Sequence, residues 1–447
     1  MNRPHGILHW AFPAIVVLAA LTILVSGRDL SGSFVDLQSQ AEEVRAPLIA
    51  WAQRFVSVLL LVAAAERIVS HLAYREVVPS PALAWSFIAF WIGTVAAPAF
   101  YGSHPQLSHD FGYSLALGVA AVLAGTADRD RVIHASRDTL FLFMLISVAL
   151  IPVSPSLVLD SNYSQGLLSG VPRLAGIAVH PVSLGMLALT GLLCLWHRPF
   201  ASAWLNVPAW ALGGSVLFLA QSKTAWISFV LCAAAMLAVR HAGNFWRRLS
   251  DPASNAFGIL ACSLFILATV TVMAVVTLGD VQAQLSDFLE SAQGAQLISM
   301  TGRDHIWAVA LEEWHGNWWF GYGPGLWDAA FRASIGMPSA THAHNQYMDT
   351  LARSGAVGAT VLVIYAIVLL VLSIRYARAT RGLSLALFLA LAMRSVSEVP
   401  LNLFGYGTEL FTHLLLVVTL ASTAAARQPA AAREAGHNLA AGLRTAG

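Results

Sequence analysis

Two histidines stand close together in the range 341–347 (THAHNQY), inside the one long polar stretch of the chain. Imidazole titrates near neutral pH, so a histidine beside a substrate hydroxyl can accept its proton. The pattern predicts a helix from His342 to Gly355, whose N-terminal dipole would keep the ring of His344 neutral. If both histidines are helical, their side chains point to different faces of the helix. We therefore expect only one of them to act as the base, and we assign this role to His344. Polar loop histidines that cap a helix are the second interpretation.

Four basic residues lie at the predicted outer membrane boundary, namely Arg173, Lys223, Arg303 and Arg394. Arginine binds phosphate through two parallel hydrogen bonds and lysine as a point charge, so together they suit a diphosphate. A charge within a span is costly and usually faces an internal cavity. Each residue alone also fits a side chain that extends from a helix end to the membrane surface. Arg394 and Glu398, four positions apart, can instead pair with each other.

Five tryptophans between residues 307 and 327 add an aromatic cluster to the same polar stretch. Their rings offer apolar faces on which sugars can stack. Tryptophan is also enriched at the level of the lipid headgroups, so the cluster fits an interfacial belt equally well. The two interpretations are compatible, because a loop that lies on the membrane can do both.

Carboxylates give little indication of a metal site. Asp128-Arg129-Asp130 spells D-x-D, a pattern that holds a divalent metal in nucleotide-sugar enzymes, but it falls on a predicted short, arginine-rich inner loop. We interpret it as a charged, solvated turn on the side opposite the histidines. The side chains of Glu312 and Glu313 diverge on a helix. The three cysteines fall in apolar stretches as small core residues, so we predict no metal and no cofactor.

The composition requires a membrane setting for these residues. The 447 residues are 57% hydrophobic and 11% charged, which excludes a soluble domain of this size, and a net charge of +2 gives no sign of nucleic-acid binding. A helix of about 20 apolar residues crosses the hydrocarbon of a bilayer. We therefore predict an all-α integral membrane protein with about 12 spans, at 8–26, 47–65, 82–101, 112–127, 139–155, 174–196, 204–220, 224–239, 256–278, 357–374, 383–400 and 408–425.

The distribution of basic residues predicts the orientation. With the N-terminus in the cytoplasm, sixteen of the 25 basic residues lie inside, eight lie outside and Arg54 lies within a span. Short cytoplasmic loops carry the excess of arginine and lysine, so both termini are predicted to be cytoplasmic and the long polar loop to face outward. The predicted parts are a nine-span membrane bundle (1–278), a periplasmic catalytic loop (279–356), C-terminal membrane helices (357–425) and a disordered cytoplasmic tail (426–447).

Short helices are predicted within the loop. Thr301 is the expected N-cap of the first, which ends at Gly316 and Asn317. A glycine-rich and aromatic turn follows over 318–325, and a second short helix covers about 326–335.

The spacing around His344 also matches a known signature. His344-Asn345 is followed after nine residues by Gly355 and then Gly358, in the form H-[NSQ]-x9-G-x-x-[GTY]. This signature resembles that of the bacterial O-antigen ligase and polymerase group of membrane glycosyltransferases, which includes exopolysaccharide polymerases. Further stretches between about 165 and 400 are similar to motifs of that family, namely Arg173-Leu174-Ala175-Gly176, His180-Pro181, Ser222-Lys223-Thr224, Thr301-Gly302-Arg303, Ile306-Trp307 and Gly321-Tyr322-Gly323.

The resemblance implies a GT-C-like helical fold in the bacterial inner membrane with a periplasmic active site. It implies a donor glycan on undecaprenyl diphosphate, an acceptor glycan or lipid A-core, and inverting catalysis without a metal. His344 would be the base and Arg303 would stabilise the departing lipid diphosphate. Lys223 stands where the family commonly has arginine, which loses bidentate geometry. We predict a substrate-binding set of Lys223, Arg173, His180, Asn345, His342, Arg394, Glu398, Trp307 and Tyr322.

Two other functions are compatible with many spans. A flippase or transporter of lipid-linked oligosaccharides would carry interrupted helices at related positions in two halves, and the sequence shows no such symmetry. A structural assembly partner would need neither the histidine nor the phosphate-type cations. The sequence therefore favours the enzyme, and it leaves open the sugar, the linkage and the choice between ligase and polymerase.

Overall fold

The computed structural model describes residues 6–31, 47–161, 170–249, 303–338 and 340–428, with the backbone alone for 242–249. Within these ranges the protein is almost entirely helical, which confirms the predicted all-α class. The two strands in the described residues are the antiparallel pair Leu159–Asp160 (β1) and Arg173–Leu174 (β2). The predicted span 256–278, the N-cap Thr301 and the tail from 429 lie outside the described residues.

The first half of the chain contains mostly long apolar helices. After a 3-10 turn at Leu8–Trp10, they are α1 (Ala11–Val25), α2 (Pro47–Ala73), α3 (Pro81–Trp91), α4 (Ala97–Tyr101), α5 (Asp110–Val122), α6 (Asp128–Ala149), α7 (Pro155–Val158), α8 (Pro181–His197), α9 (Ala203–Leu219) and α10 (Lys223–Leu249). A π-helical turn at Ile92–Ala96 joins α3 to α4 into one continuous helical stretch. Pro81 and Pro181 begin their helices, where the missing N–H costs nothing.

The second half holds two short helices followed by three longer ones. They are α11 (Arg303–Gly316), α12 (Ala329–Ser334), α13 (Gln346–Tyr376), α14 (Leu383–Ser397) and α15 (Thr408–Arg427). The predicted end of the first loop helix at Gly316 is confirmed. The second loop helix is shorter than predicted, because Asp328 accepts a hydrogen bond from the N–H of Phe331 and so sets a later start.

Among the described residues, seven helical stretches are long and apolar enough to cross a membrane, which makes the chain a multi-pass membrane protein. The seven are Leu8–Val25, Pro47–Ala73, Pro81–Tyr101, Asp128–Ala149, Lys223–His241, Gln346–Tyr376 and Thr408–Arg427. The helices α5, α8, α9 and α14 are apolar but shorter. The count of twelve spans stays a prediction.

The interpretation of Asp128-Arg129-Asp130 as a solvated turn is wrong. These residues begin α6, which also starts well before the predicted span 139–155. Asp128 is buried, accepts a hydrogen bond from the N–H of Gly125 at 2.7 Å, and lies 3.8 Å from Arg67. Asp130 pairs with Arg198 at 2.6 Å. The two carboxylates therefore link α6 to neighbouring parts of the bundle at this end. They also stabilise the N-terminus of α6, because negative side chains in the first turn interact favourably with the helix dipole.

The helix α15 occupies the centre of the bundle, with nearly all of its residues buried. Phe411 packs edge-on against Phe12 of α1, and His413 accepts or donates a hydrogen bond with Tyr365 of α13 at 2.7 Å. Thr412 shares a hydrogen bond with Thr190 of α8 at 3.0 Å. These two hydrogen bonds pair polar side chains of α15 with neighbours inside the apolar core, as buried polar groups require. The N-terminal end of α15 is thereby held against the middle of α8.

The turn after α11 docks on α13 through a backbone contact that needs glycine. Gly355 has φ of +61° and interrupts the helical backbone of α13, as its predicted place at the end of the loop helix requires. A Cβ there would lie 2.3 Å from the carbonyl carbon of Trp319. The N–H groups of Ala356 and Val357 donate to the carbonyls of Trp318 and Trp319 at 2.8 and 3.2 Å. The loop is therefore fixed to the helix that starts beside the histidines.

Candidate active site

A cavity of about 800 Å³ lies where the histidine segment, the start of α11, the start of α8 and the connection between α14 and α15 meet. A pocket of this size is typical of a small-molecule or cofactor site. Its charged and polar lining combines cations with carboxylates. The charged, polar and aromatic side chains of the lining include His180, Ser183, Arg303, His342, His344, Arg394, Glu398, Asn402, Phe404, Tyr406 and Glu409.

His344 faces the carboxylate of Glu398 inside this cavity. Nδ1 of His344 lies 3.9 Å from Oε1 of Glu398, which is longer than a hydrogen bond. Nδ1 is buried and has no hydrogen-bond partner among the described residues, while the side chain as a whole is 29% exposed. A small movement would let Nδ1–H donate to the carboxylate. The second ring nitrogen, Nε2, would then keep its lone pair.

The local fold that presents His344 starts from Asn345. Oδ1 of Asn345 accepts hydrogen bonds from the N–H groups of Tyr347 and Met348 at 3.0 Å, which caps α13. His344 precedes this cap and has φ of +48°, a conformation that costs energy for a residue with a side chain. The predicted helix start is therefore confirmed to within a few residues. His344 lies just outside the helix rather than within it.

His342 contacts His344, against the expectation that the two would face different sides. The rings pack edge to face with centroids 4.2 Å apart, because neither residue is helical. The backbone N–H of His344 donates to Nδ1 of His342 at 3.1 Å. Nε2 of His342 lies 3.2 Å from Oε2 of Glu398. One carboxylate is thus shared by two imidazoles.

Glu398 lies just beyond the end of α14, with a side chain 16% exposed. Burial by itself raises the pKa of Glu398, but the adjacent imidazoles of His342 and His344 outweigh it and hold the pKa well below its usual range. The carboxylate is therefore ionised at neutral pH.

The three side chains His342, His344 and Glu398 also have ligand atoms that lie within 4.8 Å of one another, close enough to hold a metal ion. The sequence analysis overlooked this group, because Glu398 is distant from the histidines in the chain. The tautomer of His342 argues against a metal site at these three side chains. Since a backbone N–H occupies the Nδ1 lone pair of His342, its Nε2 carries the proton and cannot bind an ion unless that hydrogen bond breaks.

Arg394 pairs with Glu409 rather than with Glu398. Its Nη2 donates to Oε1 of Glu409 at 3.0 Å, and the residue is 3% exposed on the inner side of α14. Its Nε is buried without a hydrogen-bond partner among the described residues. Arg303 is the first described residue of α11 and also lines the cavity. Two guanidinium groups therefore border the space in front of His344.

His180 caps the start of α8, where Nδ1 accepts a hydrogen bond from the N–H of Val182 at 3.2 Å. Burial, helped by the charge of Arg173, lowers the pKa of His180 to about 4. The ring is neutral at physiological pH and lines the cavity. Arg28 fixes the preceding segment, since its guanidinium donates to the carbonyls of Gly176 and Ala178 at 2.6 and 2.7 Å. No sequence pattern indicated this role for Arg28.

Lys223 and Arg173 are near the cavity but not among its lining residues. Lys223 is exposed at the start of α10, where the neighbouring Thr224 shares a hydrogen bond with Ser397 at 3.3 Å. Arg173 is buried, and its Nε donates to the carbonyl of Ala220 at 2.8 Å. The position of Arg173 supports the turn between α9 and α10.

The predicted aromatic residues support the cavity instead of lining it. Nε1 of Trp307 donates to the carbonyl of Ala343 at 2.8 Å and so holds α11 onto the histidine segment. Tyr322 stacks on His104 at 4.1 Å. None of the five tryptophans is among the lining residues, and Trp318 and Trp319 are 53% and 67% exposed. These exposures favour the interfacial interpretation of the cluster over stacking inside the cavity.

The connection between α14 and α15 and the first turn of α15 supply lining residues that were not predicted from the sequence. They are Asn402, Phe404 and Tyr406 in the connection and Glu409 in α15. The signal was present, because a stretch with proline, glycine, asparagine and aromatics separates two apolar spans on the predicted outer side. Glu409 was not selected because it falls within the predicted span 408–425.

A comparison with known protein families found one match within the chain. Residues 208–363 match the family model described as O-antigen ligase. The matched range includes Arg303, His342 and His344, whereas Glu398 and Glu409 lie beyond its end. No curated protein matches the chain. The match confirms the resemblance found from the motifs and the class of enzyme that it implies.

Proposed function

We propose that this chain, a membrane glycosyltransferase of the O-antigen ligase family, transfers a glycan from undecaprenyl diphosphate to an acceptor sugar hydroxyl. The acceptor is either another glycan, which makes the enzyme a polymerase, or lipid A-core, which makes it a ligase. The observation that carries the proposal is one cavity that holds a histidine beside a carboxylate together with two arginines. The reaction takes place on the periplasmic side of the inner membrane, as the distribution of basic residues predicts.

His344 acts as the general base in this proposal. Glu398 attracts the Nδ1–H of His344, so Nε2 presents its lone pair to the acceptor hydroxyl. The gap of 3.9 Å closes when substrate fills the cavity, as catalytic hydrogen bonds in unliganded enzymes often do. When Nε2 takes the proton, the imidazolium forms beside the ionised carboxylate, which stabilises it.

The bond changes balance without a further reactant. The acceptor oxygen forms a bond to the anomeric carbon of the donor while the bond from that carbon to the diphosphate oxygen breaks. The electron pair leaves with the lipid diphosphate, and the hydroxyl proton goes to Nε2 of His344. A single displacement of this kind inverts the anomeric configuration.

The arginines stabilise the charge that develops on the leaving diphosphate. Arg303 is the first described residue of α11, in the turn that Thr301 is predicted to cap, where backbone N–H groups and a guanidinium can converge on one anion. Arg394 also lines the cavity, and one of its nitrogens donates to Glu409. His180, neutral at physiological pH, adds a polar contact without charge. Lys223 lies outside the lining and is assigned to docking of the lipid diphosphate as a point charge.

The decisive experiment uses the purified full chain with a lipid-linked donor of known anomeric configuration. The product should contain a new glycosidic bond with inverted configuration, measured by mass spectrometry and NMR, and supplying each acceptor class separately decides between ligase and polymerase. His344→Ala should lower the rate by at least about 100-fold. His305→Ala is the matched control, because that side chain is 75% exposed on α11.

Two results would contradict the proposal. A product with retained configuration would require a covalent intermediate instead of a single displacement. Movement of the lipid-linked glycan across a reconstituted bilayer without a new bond would support the transporter. Each result is measured on the same purified protein.

A further inference from the structure

We infer that His342 is a positioning residue that holds both partners of the catalytic pair, and that it does not itself take up a proton. The inference rests on the proposed role of His344 as the base. It assigns to His342 a task that the spacing in the sequence left open. The geometry around its two ring nitrogens carries the assignment.

The first ring nitrogen of His342 has a fixed protonation state. A backbone N–H can only donate, and that of His344 points at Nδ1 of His342 at 3.1 Å. Nδ1 must therefore carry a lone pair rather than a proton. This hydrogen bond holds the backbone of His344, whose φ of +48° lies in the left-handed region.

The second ring nitrogen follows from the first. A neutral imidazole carries one proton, so with Nδ1 as the acceptor it must reside on Nε2. Nε2 lies 3.2 Å from Oε2 of Glu398 and donates to the ionised carboxylate. Oε1, the other oxygen of Glu398, is the one that faces His344. His342 thus fixes the carboxylate with one edge of the ring and the backbone of the base with the other.

This arrangement leaves His342 no free lone pair. To accept a proton from a substrate it would have to break its bond to the backbone of His344. To bind a metal ion through Nε2 it would need the same change. Neither a second base nor a metal ligand therefore fits the hydrogen bonds that it makes, whereas a positioning role uses all of them.

The inference predicts which substitutions His342 tolerates. A glutamine amide offers one acceptor and one donor on two atoms bonded to the same carbon, so it can accept the backbone N–H and donate to the carboxylate. Leucine has a similar size and offers neither. Because a displacement of about 1 Å at a catalytic group can cost on the order of 100-fold in rate, loss of both bonds should be severe.

The experiment compares H342Q, H342L and H344Q in the purified full chain, with kcat and KM for donor and acceptor measured across pH. We expect H342Q to keep its kcat within about threefold of the wild type, with an unchanged pH profile. H342L should lose about 10- to 100-fold in kcat with little change in either KM. H344Q, which is as polar as H342Q, should be inactive. His305→Leu serves as the control for the loss of an exposed histidine from α11.

Each outcome has a defined meaning. H342Q as inactive as H344Q would overturn the inference, since it would show that His342 carries a proton or a ligand bond that an amide cannot replace. Wild-type activity of H342L would overturn it as well. An active H344Q would instead refute the proposed function. Size-exclusion profiles show whether H342L fails to fold. If it does, the comparison of H342Q with H344Q alone tests the inference.

Discussion

His344 and Glu398 face each other across 3.9 Å, from the two sides of a cavity that α13 and α14 border. The base candidate precedes the N-terminus of α13, and the carboxylate follows the C-terminus of α14. The relative position of the two side chains therefore depends on how these helices pack. Gln346 helps to fix this relative position. Its Oε1 accepts a hydrogen bond from the N–H of Leu401, three residues after Glu398, at 2.8 Å.

Glu398→Gln should lower kcat by at least about 100-fold while leaving both KM values nearly unchanged. The glutamine oxygen can still accept from His342, so its amide N–H₂ would donate to Nδ1 of His344. That hydrogen bond fixes the proton on Nε2 and removes the lone pair that accepts the substrate proton. Steady-state kinetics on the purified variant tests this.

Glu398→Ala is the matched comparison, because it removes the carboxylate without imposing the wrong tautomer. The alanine variant should therefore be no less active than the glutamine variant. A wild-type rate for Glu398→Gln would show that the carboxylate does not orient His344.

The low pKa of His180 predicts a pH-dependent stability. The pKa is about 4 in the folded protein, and an unperturbed histidine titrates at about 6.5. Between these values the unfolded chain binds more protons, so the free energy of unfolding falls as the pH drops from about 6.5 toward about 4. The contribution of the neutral ring is fully present above about pH 6.5.

His180→Asn isolates this effect, because asparagine can cap the helix and cannot titrate. The midpoint of thermal unfolding of the wild type in detergent should fall more than that of the variant when the pH drops from about 7.5 to about 5. Equal falls in both proteins would mean that His180 has an ordinary pKa in the folded state.

Transfer activity should survive EDTA. Of the three groups that lie close enough for a metal, His342 already contacts Glu398 through Nε2, and its Nδ1 lone pair is occupied by the backbone N–H of His344. Activity and bound metal are both measured before and after chelation of the purified enzyme. Loss of activity that Mg²⁺, Mn²⁺ or Zn²⁺ restores would show that His342 changes its tautomer to bind an ion.

The sequence predicted one half of the site and missed the other for a physical reason. The histidines and Arg303 lie on the polar loop, where a titratable group and a cation stand out from an apolar background. Glu398 was assigned to substrate binding and considered as a partner of Arg394, because the i,i+4 spacing suggests a pair, but no pattern placed it beside the histidines. The structure pairs Arg394 with Glu409, since α14 ends before Glu398 and the chain turns away from the helix.

Hydrophobicity predicted the helices better than their ends. The apolar segments of α1, α9 and α15 begin and end within a few residues of the predicted spans. The start of α6 was missed, because its first turns carry charges that resemble a loop. Burial of Asp128 against Arg67 depends on a neighbouring helix, and hydropathy along one segment cannot reveal such a contact.

A reporter fused near Gly336 should be active only in the periplasm. The split of sixteen basic residues inside against eight outside predicts this side for the loop, and the proposed reaction requires it. Gly336 is a suitable site because it has φ of +67° in a turn and no atom within 4 Å of the position of a Cβ. A fusion within the tail from 429 is the control for the cytoplasmic side. Cytoplasmic activity of the Gly336 fusion would reverse the orientation and exclude a periplasmic mechanism.

Arg303→Lys should impair transfer nearly as much as Arg303→Ala. The guanidinium offers a planar pair of donors to a diphosphate, and an ammonium group supplies only a point charge. If Arg303 stabilises charge on the leaving group, the contact strengthens mainly in the transition state, so kcat should fall by about 10-fold or more while the donor KM changes little. Kinetics with varied concentrations of lipid-linked donor measure both constants. Arg332→Lys is a poor control because Arg332 is buried, so Arg54→Lys, on the membrane helix α2, provides the comparison. A change confined to the donor KM would assign Arg303 to docking, and a wild-type rate for Arg303→Lys would remove it from the mechanism.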